Sequence, residues 1–178
     1  MACRQNLVPL VIAEANRQGV DQAIALAVAR RETGVCHWWK NGRVKIGKDG
    51  EVGVMQVMPS TAPRADIYDA YENIRAGVGY LAEMYRQFGS WPLAVAAYNW
   101  GPGKVEKALQ RGTSMPSVVQ AYVREVTGTK SVTPAYASAT QVRALPAQHV
   151  RPSENSEITA GTWFAIAGAA TIGIALLT

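Results

Sequence analysis

The chain has 178 residues but only two cysteines and two histidines. Cys3, Cys36, His37 and His149 have no metal-ligand spacing, and two thiols exclude a disulfide-rich scaffold. Charge is sparse, 17% against 48% hydrophobic residues, which excludes a chain disordered throughout and leaves room for one domain with a real core. Met1 to Leu10 lacks the basic start and long apolar stretch of a secretory signal, because Pro9 interrupts it and Glu14 follows. Acidic residues are outnumbered 13 to 18, and the net charge of +5 suits an anionic partner such as a cell envelope, a membrane surface or a nucleic acid.

What is present is mostly helical. Asp21 is a good N-cap and Gly34 a good stop, with Ala23 to Ala29 apolar on every side, as expected of a buried helix. Glu32 comes one turn after Val28 and two after Ala25, so it shares their stripe. A carboxyl at the negative end of a buried helix holds its proton through desolvation and the dipole, which suits a general acid. The alternative is a surface glutamate on a fraying turn, paired with Arg30 or Arg31. Arg4 to Arg17 reads as an amphipathic helix ending at Gly19. Folding back at Gly19–Val20 brings Cys3 beside Cys36, either as a disulfide or, in a reducing cytosol, as two free thiols.

Beyond Gly34 the pattern changes. Val44, Ile46, Val52, Val54 and Val57 around Asp49–Gly50 predict a small β-hairpin, and Gly53 within it suggests close approach of another group. Pro59 to Ala62 reads as a short helix broken by Pro63. Helices are expected over 73–88, from Trp91 to Asn99, near 104–110 and near 117–126. Residues 129–157, rich in Ala, Ser, Thr and Pro, read as a linker. Residues 158–178 carry no charge and as a helix would be about 31 Å long, the length of a membrane anchor. Gly161, Ala165, Ala169 and Gly173 recur every four residues, a stripe on which a second membrane helix would pack.

Three blocks, Ala29-Arg30-Arg31-Glu32-Thr33-Gly34, Gly53 to Ala62 and Ala96 to Gly103, resemble the signatures of the soluble lytic transglycosylase family, related to goose-type lysozyme. Asn73 to Gly77 with Tyr80-Leu81, and Tyr122-Val123, are similar to further blocks of it, so the likeness runs from about residue 5 to 127. The resemblance implies a lysozyme-like fold cutting peptidoglycan between muramic acid and glucosamine, with Glu32 as acid and then base. It also implies that Met55 and Gln56 line the glycan groove, that Tyr98 and Asn99 stand near the scissile sugar, and that Tyr122 hydrogen-bonds Glu32. Thr33 keeps the hydroxyl of the family's serine. Gly47 stands where the family often has a serine, and Glu51 where it has a small residue.

A hydrolase would need a second carboxylate, and the candidates are Asp49, Glu51, Asp66, Asp69 and Glu72. Without one in place, the C6 hydroxyl closes a 1,6-anhydro ring. Trp38 and Trp39 are open between stacking on sugars and capping the core, and His37 reads as a surface residue. The expectation is therefore an α+β, mainly α protein. A lysozyme-like catalytic domain with a small β-hairpin (1–128) is followed by a linker (129–157) and a transmembrane helix (158–178). Such a chain acts on peptidoglycan at a virion membrane or host envelope, needs no cofactor or metal and binds no nucleic acid. It resembles the virion-associated transglycosylases of membrane-containing bacteriophages, which open the wall for genome entry. The alternatives are a hydrolytic muramidase, a bacterial secretion-system wall enzyme, and a non-catalytic wall-binding or assembly protein.

Overall fold

In the structure, a computed structural model, residue 3 and residues 5–128 are described. They form six helices: α1 (Val8–Gln18), α2 (Gln22–Thr33), α3 (Ala70–Phe88), α4 (Trp91–Trp100), α5 (Pro102–Arg111) and α6 (Ser117–Thr127). Their ends follow local chemistry. Asp21 accepts the N–H groups of Ala23 and Ile24, Asp69 those of Tyr71 and Glu72, and Ser90 that of Leu93. Each such cap is worth about 1 kcal/mol. Proline occupies the first turn of α1, α4 and α5, where its missing N–H has no helical partner to lose.

Ala94 to Ala97 of α4 are all buried, and the helix packs on α3, α5 and α6 at once. Helix α1 lies against α2 and α3, and α2 against α6. Val28, Ile74, Leu81, Val95, Val105 and Val123 fill the space between them. Cys3 and Cys36 are joined as a disulfide, with Cα atoms 5.5 Å apart, as the turn at Gly19–Val20 allows.

The expected β-hairpin is not formed, so the α+β class is corrected to an all-helical one among the described residues. Residues 35–69 hold only isolated bridges, Trp38 with Val44, Ile46 with Val52 and Val52 with Val57. The reason lies in the second expected strand. Val52 pairs with Val57, N–H to carbonyl in both directions at 3.0 and 2.9 Å, so the chain turns back on itself over Gly53–Gln56. Gly53 (φ 75°) and Gln56 (φ 48°) take left-handed backbone there, which no strand continues through. Pro59 to Ala62 likewise forms turns rather than a helix.

The membrane expectation is corrected as well. Among the described residues no helix is long and apolar enough to cross a membrane. Residues 129–157 and 158–178, on which the linker, the anchor and the Gly161, Ala165, Ala169 and Gly173 stripe were expected, lie outside the described residues. A single-pass membrane location and a helix partner therefore do not stand.

Candidate active site

Glu32 is presented by the last turn of α2, on the stripe of Ala25 and Val28, which are fully buried. Its carboxylate is half-buried, and the hydroxyl of Tyr122 from α6 donates to its Oε1. Tyr122 is itself 4% exposed. Arg31 lies over the Tyr122 ring, 5.6 Å from its centroid, and pairs with Glu125 at 2.7 Å, so it braces α6. Desolvation holds the Glu32 carboxyl above the ordinary glutamate range. The Tyr122 hydrogen bond and the Arg31 charge oppose this, and the negative charge of Glu51 adds to it. Burial, reinforced by the same carboxylate, pushes the Tyr122 and Tyr98 hydroxyls well above the usual tyrosine range, so both stay proton donors.

The other wall is the turn of residues 52–57. Two buried polar side chains hold it from behind. His37 Nδ1 accepts the Val54 N–H at 3.1 Å while its Nε2 donates to Tyr68 O at 2.9 Å. Asn73 accepts the Met55 N–H at 2.9 Å and donates to Val52 O and Ile67 O at 2.8 and 2.9 Å. Gly53 is where they meet, since a Cβ there would strike the His37 ring and lie 2.6 Å from Asn73 Nδ2. Burial also lowers the His37 pKa, in keeping with a neutral ring that accepts at Nδ1 and donates at Nε2. The surface reading of His37 is thus corrected, and the group that Gly53 admits is this pair. No periodicity marks His37 or Asn73; buried polar residues are recognised only by what they touch.

The expected site residues divide between these walls. The Thr33 hydroxyl donates to Val54 O at 2.9 Å and accepts the Cys36 N–H at 3.2 Å, tying the end of α2 to the turn. Lys45 donates to Thr33 O at 2.8 Å, a cation on the last carbonyls of α2 that the sequence reading missed. The Met55 side chain is fully buried against Gly77, so its backbone rather than its thioether is turned to the site; its carbonyl accepts the Tyr98 hydroxyl at 2.7 Å. Gln56, Tyr98, Asn99, Tyr80 and Trp100 line a cavity of about 280 Å³, and Asn99 is exposed. Trp38 is half-buried, edge-on to His37, whereas Trp39 is 52% exposed beneath Lys45.

Of the candidate second carboxylates, Asp69 caps α3, Glu72 pairs with Arg75 at 3.2 Å, and Asp66 accepts the Tyr68 N–H. Asp49 is exposed in the turn before Gly50. Glu51 is the one whose charge bears on Glu32. Among the described residues no group of His, Cys, Asp and Glu could hold a metal ion.

Residues 9–117 match the family described as Transglycosylase SLT domain. Over 100 residues the chain is 36% identical to the soluble lytic murein transglycosylase of Escherichia coli K12, an alignment covering 48% of this chain and 15% of that protein. The crystal structure of the 70 kDa soluble lytic transglycosylase of Escherichia coli is similar to it, with a TM-score of 0.57 and 27% identity, over 66% of this chain and 22% of that one. An inactive Glu-to-Gln variant of lytic transglycosylase Slt from Pseudomonas aeruginosa gives a TM-score of 0.52 and 26% identity, over 68% and 20% of the two chains. The chain thus corresponds to a small part of these relatives' length. The relatives named here come from bacteria, and with no spanning helix among the described residues the virion and genome-entry expectation does not stand.

Proposed function

The chain belongs to the transglycosylase SLT family, and from that premise we propose that it is a lytic transglycosylase that cleaves the β-1,4 bond between N-acetylmuramic acid and N-acetylglucosamine in peptidoglycan. The observation that carries the reading is Glu32, half-buried, hydrogen-bonded by Tyr122 and held above the ordinary glutamate range. Such a carboxyl is protonated where an exposed glutamate is not. It protonates the glycosidic oxygen as the C1–O bond breaks and an oxocarbenium-like state develops. The carboxylate left behind takes the proton of the C6 hydroxyl, whose oxygen closes on C1. No water is consumed, and Glu32 ends as it began.

Tyr122 steadies the carboxylate between the two proton transfers, because its hydrogen bond favours the charged form. Gln56, Tyr98 and Asn99 face the cavity and hold the glycan. Thr33 and Met55 support that wall from behind through Val54 O and the Tyr98 hydroxyl. The engagement of Asp66, Asp69 and Glu72 in caps, turns and an ion pair favours ring closure over hydrolysis. Mass spectrometry of muropeptides released from purified sacculi tests this: the expected products end in 1,6-anhydromuramic acid. Products heavier by one water would make the protein a muramidase, and no release of glycan would make it a wall-binding protein.

A further inference from the structure

A second cavity, of about 830 Å³, is lined by Trp39, Lys40, Asn41, Arg43, Val44 and Ile46 and shares no residue with the cavity of Gln56, Tyr98 and Asn99. The turn that builds it is closed by its own hydrogen bonds. Trp39 N–H donates to Arg43 O at 2.8 Å, Gly42 N–H to Trp39 O at 3.0 Å, and Arg43 N–H to Asn41 Oδ1 at 3.0 Å. Gly42 (φ 85°) takes the left-handed backbone that this closure needs. The Lys45 ammonium, which donates to Thr33 O, sits over the Trp39 ring, 5.0 Å from its centroid. Trp39 and Ile46 nonetheless stay 52% and 51% exposed, two large apolar side chains presented to solvent on a turn already fixed.

The polar chemistry of this lining is one-sided. Asn41 Oδ1 is engaged by the Arg43 N–H. The free polar ends are then the Trp39 indole N–H, the Lys40 ammonium, the Asn41 amide nitrogen and the Arg43 guanidinium, all of them donors. No carboxylate lines the cavity, and neither Lys40 nor Arg43 forms an ion pair among the described residues. A glycan does not suit such a surface, because each hydroxyl donates as well as accepts and its protons would find no side-chain acceptor. A phosphate polymer would use the cations and leave Trp39, Val44 and Ile46 idle. An anion with small aliphatic side groups uses both. In peptidoglycan that description fits the peptides, in which free carboxylates and alanine methyl groups lie side by side.

We propose that the turn of residues 39–46 is a docking site for an acidic peptide, the short stem peptide carried on muramic acid, with Lys40 and Arg43 on its carboxylates and Trp39 and Ile46 on its methyl groups. The inference rests on the peptidoglycan reading and adds to it a contact outside the glycan cavity. Lys45 fastens the site to the helix that carries Glu32, since it touches both the Trp39 ring and the Thr33 carbonyl at the end of α2. A peptide held there tethers its wall strand to the protein, and so acts on KM rather than on kcat.

The test titrates amidase-released stem peptides into the full chain by calorimetry, and assays the same chain on intact sacculi and on glycan strands stripped of peptide. Trp39→Ala and Arg43→Ala are each expected to weaken peptide binding about tenfold, and to raise KM on intact sacculi relative to stripped strands by a like factor. Lys48→Ala removes the same charge from an exposed position outside the cavity, and is expected to change either quantity by no more than about twofold. Peptide binding that is absent in the wild type, or unchanged in both cavity variants at wild-type melting temperature, overturns the site. Equal losses from Lys48→Ala and Arg43→Ala would overturn it too, as diffuse attraction to a basic surface. Inorganic polyphosphate that binds more tightly than the peptide, and is indifferent to Trp39→Ala, would replace the peptide with a phosphate ligand. Peptide binding with the expected losses, but no glycan released from either substrate, overturns the cleavage reading and leaves the docking site standing.

Discussion

Where α2 meets α6, the contact is made of apolar residues, with Tyr122 and the Arg31–Glu125 pair at its edge. Residues 35–69 are held otherwise. They have isolated bridges instead of a ladder, and their backbone is fastened by His37, Asn73 and Thr33. The proposed acid belongs to the first region, and the proposed glycan wall joins the second, through Gln56, to Tyr98 and Asn99 of α4. Helical burial fixes a side chain by its place on a stripe. Polar pinning fixes a backbone that no periodic pattern would hold, and so allows a turn such as Gly53–Gln56 with two left-handed residues three apart in the chain. The acid thus rests on helical burial and the turn that presents Gln56 on polar pinning, and each can be broken separately.

The largest effect is expected from Glu32→Gln, on the helical side. Loss of the proton donor should lower kcat by about 10²–10⁴-fold while sacculus binding persists. The stability sign is set by the raised carboxyl: in the fold the ionised form is disfavoured, so ionisation costs stability as pH rises above the unfolded glutamate value. The neutral amide removes that cost. Glu32→Gln should therefore melt at higher temperature than wild type at neutral pH, with the gain vanishing below about pH 4, where both states are protonated. Turnover near the wild-type rate would take the acid role away from Glu32.

Next in size is Asn73→Ala, on the pinned side. It leaves the Met55 N–H and the Ile67 carbonyl without partners, takes one of two donors from the Val52 carbonyl, and should cost about 3 kcal/mol in chemical denaturation. That is the scale of a core truncation such as Leu81→Ala, at about 2–5 kcal/mol. A loss under about 1 kcal/mol would mean that the turn holds without its pins and that the contrast between the regions is false.

The smallest is Tyr122→Phe, at the seam. The fold should survive and kcat should fall about tenfold. The hydroxyl lowers the Glu32 pKa, so its loss should raise it, and the alkaline limb of the kcat/KM profile should move to higher pH. A limb that stays in place would separate Tyr122 from the titrating group.

Much of the helical half was legible in the residues themselves. Asp21 and Gly34 bracket α2, Trp91-Pro92 opens α4, and the placing of Glu32 on the stripe of Ala25 and Val28 follows from 3.6-residue periodicity. The cysteine pairing was legible as geometry, one of two readings left open. The pinned half was not. Val44, Ile46, Val52 and Val57 have the preferences of strands, but what they form is decided by Asn73 and His37, which are remote in sequence from most of what they hold. Glu51 was visible as a departure from the family's pattern. Its bearing on Glu32 needed three dimensions.

The bond between Cys3 and Cys36 makes the chain from one to the other a covalent ring, and Glu32 lies inside it. A single peptide-bond cut anywhere in that ring would leave both pieces attached, so a protease that nicks the α1–α2 turn frees neither the acid nor the helix that carries it. The wall around the cavity, built from residues 56 to 101, lies outside the ring and has no such insurance. In an environment where proteases and thiol reductants arrive together, the order of damage would matter: a nick followed by reduction releases the segment before the cut, whereas reduction alone leaves the chain continuous.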